Sequence, residues 1–292
     1  MSRVRIVADS IAENGARLTT LVVPLWRPLL AEFNTHRMLS RNSASSRAIP
    51  TAVFHKRVFN TPFMISHLGK NQGGMRAGAP LDDGERSSAL ALWLDARYAM
   101  LEIARKYELL GVHKSISNRL LEPWIETEIV VTATEWENFL SLRTERAEDG
   151  TPMAEPHFAE RAEEILDALN ASQPRGLYLH EWHLPFLRER ELANLGWGDR
   201  AAVDLAIKIS VARCARVSYL KHDQTEATAE EDARMHDVLL GNGHVSPMEH
   251  QAQPVMSSTY RSGNLVGWQQ YRKTLPGEIR QCQRLEKKAW RR

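Results

Sequence analysis

Between Thr35 and Arg47 the chain places one histidine, three arginines, one asparagine and four serines within thirteen residues. Guanidinium forks grip phosphate oxygens two at a time, and serine hydroxyls with backbone N–H groups complete such a cradle. On composition alone the segment reads either as a phosphate site or as a solvated polar loop. A second block, Asn138-Phe139-Leu140-Ser141-Leu142-Arg143, ends on an arginine that is either a fixed guanidinium in a site or an ordinary helix-end surface residue. A third is Gly243-His244-Val245-Ser246-Pro247-Met248-Glu249-His250, where Ser246, Pro247 and Glu249 have the spacing of a capping box with proline at the first helical position. The free N–H groups of such a helix start favour an anion. His244 and His250 could instead share a metal, but no spacing supplies a third ligand, and His180 and His183 read as packing and loop residues for the same reason.

Taken together these blocks resemble the flavin-dependent thymidylate synthases. The family signature runs Arg-His-Arg, two residues, Ser, one residue, Asn-Glu, one residue, Ser, one residue, Arg-Tyr; His36, Arg37, Ser40, Asn42, Ser45 and Arg47 match it in register. Thr35, Ser43 and Ala48 depart from its first arginine, its glutamate and its tyrosine. The resemblance implies that Ser43, Ala44, Ser45, Ser46 and Arg47 form a nucleotide loop and that His36, Arg37 and Ser40 contact flavin. Asn138 to Arg143 is similar to the family's Asn-Phe-Leu-Asn-Leu-Arg, which implies a flavin contact for Asn138 and a catalytic role for Arg143. A guanidinium at a uracil carbonyl or N3 would stabilise negative charge as C5 becomes nucleophilic. Arg119, ahead of Pro123, resembles a nucleotide-contacting arginine. His157 resembles a flavin-side histidine, and Thr132 and Thr134 stand where the family places polar flavin contacts.

Ala215-Arg216-Val217-Ser218 and the Gly243 to His250 block are similar to two further family motifs, and imply that Ser246 and Glu249 meet the flavin. In the family these motifs precede the histidine-arginine block, whereas here they follow it, so the order is circularly permuted. Gln269 and Arg272 have the glutamine-to-arginine spacing that the family places ahead of its signature histidine; both are expected at the substrate, with Arg272 supplying the guanidinium that Thr35 lacks. The resemblance implies FAD as cofactor, 5,10-methylenetetrahydrofolate and NADPH as co-substrates, conversion of dUMP to dTMP, and a homotetramer. A hydroxymethylase acting on dUMP or dCMP and a non-catalytic nucleotide or nucleic-acid binder are the rival readings. The implied fold is α+β, a mainly antiparallel sheet with flanking helices. One domain over residues 1–292 is expected, with additions near 60–110 and 171–200.

The elements that must position these residues can be read along the chain. Arg3 to Ala8 and Leu18 to Val23 are expected as strands joined by a turn at Asn14-Gly15, and a helix is expected from Pro28 to Leu39. Ser40 to Arg47 is too polar to be core. Residues 60–83, rich in glycine and proline, read as a long loop. Leu90, Leu94, Tyr98 and Leu101 recur at helical spacing within a helix over 85–110 that Gly111 ends, and a short helix follows from His113 to Leu121. Glu126 to Thr134 reads as a strand and Glu135 to Leu142 as a helix carrying Trp136, Phe139 and Leu140 inward. Further helices are expected over Pro156 to Leu169, Ala201 to Arg213 and Thr228 to Leu240, with an irregular connection over 171–200.

Composition bounds the rest. At 292 residues, 43% hydrophobic and 25% charged, the chain is that of a folded globular protein. A net charge of +2 is too small for a general polyanion-binding surface, so no nucleic-acid partner is expected and any anion must be met locally. No apolar run approaches the roughly 20 residues of a membrane helix, and the first residues lack a secretory pattern, so a cytoplasmic location without a membrane partner is expected. Cys214 and Cys282 show no pairing or zinc spacing; Cys214 reads as a small buried residue. No metal ligands are expected.

Overall fold

The computed structural model describes residues 3–221, 224–276 and 278. Cys282 lies outside them. Two long strands, β1 (Arg5–Ala12) and β2 (Arg17–Trp26), are joined at Gly15, whose φ of 86° is the left-handed conformation that glycine adopts without steric cost. Short helix α1 (Leu30–Phe33) follows a 3-10 turn, and then come β3 (Ser40–Ser43), α2 (Thr51–Asn60) and the long α3 (Asp83–Leu109). One helical turn, α4 (Lys114–Ser117), leads through a 3-10 segment into β4 (Glu126–Ala133), α5 (Glu137–Thr144) and α6 (Pro156–Ala171). The remainder comprises β5 (Arg175–Leu177), α7 (Glu189–Ala193), α8 (Arg200–Arg216), α9 (Ala229–Gly241), and four short strands, β6 (Ala252–Pro254), β7 (Arg261–Ser262), β8 (Leu265–Val266) and β9 (Trp268–Gln270).

The central sheet has the order β3-β4-β2-β1-β5. It is antiparallel except where β5 lies parallel to β1, so the fold is α+β with a mixed sheet. Alternation sorts the strand side chains onto two faces. Leu21, Val23, Leu25, Ile129, Val131 and Ala133 meet Phe139 of α5 and Phe158, Ala162 and Ile165 of α6. The opposite face carries Val22 and Val130 against Phe186, Cys214 and Val217. Both faces of β2 are therefore covered, which is why its sequence is apolar without break from Leu21 to Trp26.

Several expectations are corrected. The helix expected from Pro28 to Leu39 stops at Phe33, because the Arg41 side chain donates to the carbonyls of Asn34, His36 and Leu39 and holds residues 34–39 in turns. The polar stretch from Ser40 is not all surface: Ser40 to Ser43 pairs with β4, and Ser40 and Ser46 are each 1% exposed, their hydroxyls satisfied by Asn264 and Glu122. In α3 the residues buried are Arg97 and Ala104, while Tyr98 is half exposed, so the inward face lies one position from the one the leucine spacing marked. The short helix after His113 continues as 3-10 structure through Pro123 to Trp124. Ser246 does not cap a helix. Residues Ser246–Glu249 form a single 3-10 turn without a side-chain cap, and Glu249 turns instead to Arg272. Helix α2, strand β5 and α7 had no periodic signal long enough to mark them. Among the described residues no helix is long and apolar enough to cross a membrane.

Candidate functional site

The turn between α1 and β3 presents alternate residues to two environments. His36 points inward. It is 8% exposed, lies edge-on to Phe139 at 4.9 Å, and accepts a hydrogen bond at Nε2 from Arg143 Nε at 2.9 Å. That bond uses the Nε2 lone pair, so the imidazole proton sits on Nδ1. Burial, then the cations of Arg143 and Arg41, push the His36 pKa down to about 4, and the ring is neutral near pH 7. Arg143 comes from the last turn of α5, with its guanidinium 4.6 Å above the Phe158 ring and 3.9 Å from Glu32.

Arg37 points the other way, into a cleft of about 520 Å³. The near wall is Asn34, Arg37, Leu39 and Arg41 from the turn; the far wall is Ser246 and Glu249 from the 3-10 turn, and Gly263, Asn264, Gln270, Arg272 and Lys273 from the C-terminal hairpins. Among the described residues, four cationic side chains line the cleft with one carboxylate, and a second carboxylate, Glu278, stands beside it. Glu249 pairs with Arg272, which also lies 3.4 Å from Glu278, and Lys273 bonds Glu278 at 3.1 Å. Burial and the neighbouring Arg37 hold the Arg41 pKa below its usual value while Glu249 opposes the shift. The cleft is built to take an anion.

The cleft is anchored to the helix carrying the Ala215-Arg216-Val217-Ser218 block. Asn42 Nδ2 donates to the Cys214 carbonyl at 3.0 Å, and its Oδ1 accepts from the Ser246 hydroxyl at 3.3 Å. Val217 ends α8 at φ 58°, a left-handed conformation rarely taken by a β-branched residue. Arg216 is turned to the buried carboxylate of Asp232 at 2.7 Å and away from the cleft.

Of the residues singled out in the sequence, Arg37, Ser246, Glu249 and Arg272 meet in the cleft. Ser40 stands directly behind it, donating to Asn264 at 2.9 Å, and His36 with Arg143 lies behind the turn. The others are elsewhere. The Ser46 hydroxyl donates to Glu122, and Asn118 holds the Ser46 and Ile49 carbonyls. Ser43 and Ala44 are half-buried, Ser45 and Arg47 exposed, and none of the four lines the cleft. Arg119 is exposed and bonds the Ser115 carbonyl. Asn138 is exposed on the first turn of α5. His157 uses both ring nitrogens structurally, accepting the Ser66 N–H at 3.0 Å and meeting Glu155 at 2.6 Å, and packs against Trp26 and Phe63. Gln269 turns to Tyr260 and Ser262. Its neighbour Gln270 faces the cleft, as strand alternation with buried Trp268 requires. Arg41 was read only as one of the three arginines of the first block, and Asn264, Gln270 and Lys273 were not picked out from sequence; the Gly263-Asn264 turn was the available signal for one of them.

Thr132 and Thr134 are also engaged away from the cleft. Thr134 accepts the Val266 N–H. Thr132 belongs to a buried chain: Ser10 Oγ to His183 Nδ1 at 2.9 Å, His183 Nε2 to Thr20 Oγ1 at 2.8 Å, Thr20 to Thr132 at 2.6 Å, and Thr132 to His250 Nδ1 at 2.8 Å. His250 Nε2 has no partner among the described residues. A buried lone pair without a partner costs less than a buried N–H without one, so the His250 proton belongs on Nδ1 and every link then donates toward Ser10. Burial pushes the pKa of both histidines down to about 3.

A larger groove of about 660 Å³ between α8 and α9 is lined by Leu205, Ala233, Val238 and three charged residues, and none of the motif residues reaches it. Among the described residues no group of three or more His, Cys, Asp or Glu is placed to hold a metal.

No protein-family model matches the chain. No curated protein matches it in sequence. Among solved structures it is similar to a UMP/dUMP methylase PolB from Streptomyces cacaoi bound with 5-Br UMP, with a TM-score of 0.42 and 17% identity over 57% of this chain and 87% of that one. It is also similar to the same enzyme bound with 5-Br dUMP, with a TM-score of 0.39 and 20% identity over 52% of this chain and 65% of that one.

Proposed function

We propose that the chain is a FAD-dependent enzyme that transfers a one-carbon unit from 5,10-methylenetetrahydrofolate to C5 of a pyrimidine deoxynucleotide, converting dUMP to dTMP with NADPH as reductant. The observation that carries this reading is convergence: Arg37, Ser246, Glu249 and Arg272, drawn from motif blocks more than two hundred residues apart, line one cationic cleft.

The donor set fits the phosphates of a flavin dinucleotide or of a nucleotide, since Arg37 on the near wall and Arg272 and Lys273 on the far wall present ionised N–H groups to one cleft. Bound flavin would supply the redox chemistry, which no side chain here can. Among the described residues Leu39 is the one apolar side chain of the lining, and a homo-oligomer would supply a further surface for the flavin ring. The exposure of Ser45, Arg47 and Arg119 away from the cleft suits the same arrangement, in which they serve a cleft of another copy. Arg143 lies behind the turn and outside the cleft lining, so the polarisation of the pyrimidine ring assigned to it is likewise of a nucleotide held by another copy. Its Nε is fixed on neutral His36, and the planar head is thereby held with its remaining N–H groups directed by one rotamer.

The test is the mass of the nucleotide formed from dUMP and from dCMP with methylenetetrahydrofolate, FAD and NADPH. Methylated dUMP is expected. A 5-hydroxymethyl product would move the reading to a hydroxymethylase, and a colourless protein that takes up no flavin and forms no product would leave a nucleotide binder.

A further inference from the structure

We propose that Gln270 determines specificity in the cleft, its side-chain oxygen accepting a hydrogen bond from an N–H or O–H group carried by the bound anion. The inference rests on the nucleotide reading of the cleft and adds a recognition element to it.

Gln270 is 1% exposed and cannot turn its amide over. Its Nε2 faces three oxygens: the Glu249 carbonyl at 3.2 Å, Asn264 Oδ1 at 3.0 Å and Ser40 Oγ at 3.4 Å. The Glu249 carbonyl can only accept. Asn264 Oδ1 is likewise fixed as an acceptor, because Asn264 Nδ2 donates to the Met38 carbonyl at 2.9 Å. A reversed Gln270 amide would set oxygen against oxygen at both contacts, so Oε1 is committed to the remaining direction.

That direction is toward Gly263 and the cleft. A Cβ at position 263 would stand 2.6 Å from Gln270 Oε1, and the backbone there has φ 63°, so glycine is what leaves the oxygen uncovered. None of the cleft cations is recorded on it: Arg41 is spent on Asn34, His36 and Leu39, and Arg272 on Glu249 and Glu278. An acceptor held rigid and nearly buried among cations selects a ligand that is anionic and also offers a donor, since an unpaired buried acceptor penalises any ligand lacking one. In a pyrimidine nucleotide the donor is the imide N3–H of the base or the ribose 3′-hydroxyl.

Calorimetric titration of the full chain with dUMP, N3-methyl-dUMP, 2′,3′-dideoxyuridine monophosphate and inorganic pyrophosphate separates these. One of the two blocked nucleotides is expected to bind about tenfold or more weaker than dUMP. That ratio should fall toward one in Gln270→Met, which keeps the length and removes the acceptor, and in Gly263→Ala, whose Cβ would stand 2.6 Å from the oxygen and so must push the Gln270 amide out of its place. Should Gln270→Met not fold, Gly263→Ala decides, and an undiminished ratio in it overturns the proposal. Equal binding of dUMP and both blocked nucleotides by the wild type also overturns it, while leaving the cleft a nucleotide site. Binding of pyrophosphate with no nucleotide bound at all overturns the nucleotide reading and this proposal with it.

Discussion

Arg143 and His36, 107 positions apart in sequence, share a 2.9 Å hydrogen bond in which the guanidinium donates to a neutral imidazole. The bond ties the end of α5 to the turn that feeds the cleft, and with the edge-on contact of His36 and Phe139 it joins the two motif blocks directly.

Replacing Arg143 with alanine removes a cation that disfavours the charged imidazole, so the His36 pKa should rise from about 4 toward its ordinary value without reaching it, because burial is the larger cause. An NMR titration of the His36 ring in Arg143→Ala checks the shift, and an unchanged midpoint would mean the two groups are not coupled. If Arg143 also polarises the substrate ring, turnover should fall by about 100-fold or more, with Arg143→Lys intermediate in the pKa and poor in turnover because the planar fork is lost.

Glu249 and Arg272 form an ion pair inside the cleft that an incoming anion must compete with. Arg272→Ala deletes a cation and leaves the carboxylate, and pyrophosphate affinity should drop by about tenfold to a hundredfold, more at low salt than at high. Glu249→Gln should act in the opposite direction on pyrophosphate. Equal affinities for wild type and Arg272→Ala at low ionic strength would remove Arg272 from the site.

Thr132 carries two bonds of the buried chain through one hydroxyl, to Thr20 at 2.6 Å and to His250 at 2.8 Å. Thr132→Val keeps the shape and strands His250 Nδ1, so the chain should lose about 1–3 kcal/mol of stability by denaturant unfolding, while Thr132→Ser recovers most of it. Matching midpoints for the valine and serine variants would show that the hydroxyl bonds contribute little.

How much of this was legible depends on whether the signal was local. Strand β2 announces itself by its apolar run from Leu21 to Trp26 and β4 by its β-branched residues, and α6 carries its buried apolar residues at helical spacing. Arg37, Ser246, Glu249 and Arg272 were legible as residue types in blocks. The strand Ser40–Ser43 was not, because its polar side chains are satisfied by partners more than two hundred residues away, such as Asn264, or by the chain end of α8. The early end of α1 was hidden for a related reason: it is set by the Arg41 side chain taking the carbonyls a helix would have used. Gln269 was chosen over Gln270 for its spacing to Arg272, whereas the face a two-glutamine strand turns inward is decided by its pairing with β6, which no spacing within the segment reveals.

The two buried histidines should make the fold sensitive to mild acid, and the sign follows from their depressed pKa values. His183 and His250 are at most 1% exposed and titrate near 3 in the folded chain, against about 6.5 when unfolded. Above pH 6.5 both states hold them neutral and their contribution is complete. As pH falls from 6.5 toward 3 the unfolded chain takes up protons that the folded one refuses, so stability declines by up to about 1.4 kcal/mol per pH unit for each histidine. Protonation inside the fold is resisted because a charged His250 would carry an N–H at Nε2 with no acceptor among the described residues, and a charged His183 would set an N–H at Nε2 against the Thr20 hydroxyl that donates to it. Asp9, near His183, offsets part of that resistance. Neutral His36, with its own pKa near 4, adds to the same trend. Unfolding midpoints in denaturant at pH 7.5, 6.0 and 5.0 should therefore fall with increasing steepness. In His250→Gln the absolute stability is lower but the slope against pH should be shallower, and a wild-type curve flat from pH 6.5 to 5.0 would mean that the interior admits these protons.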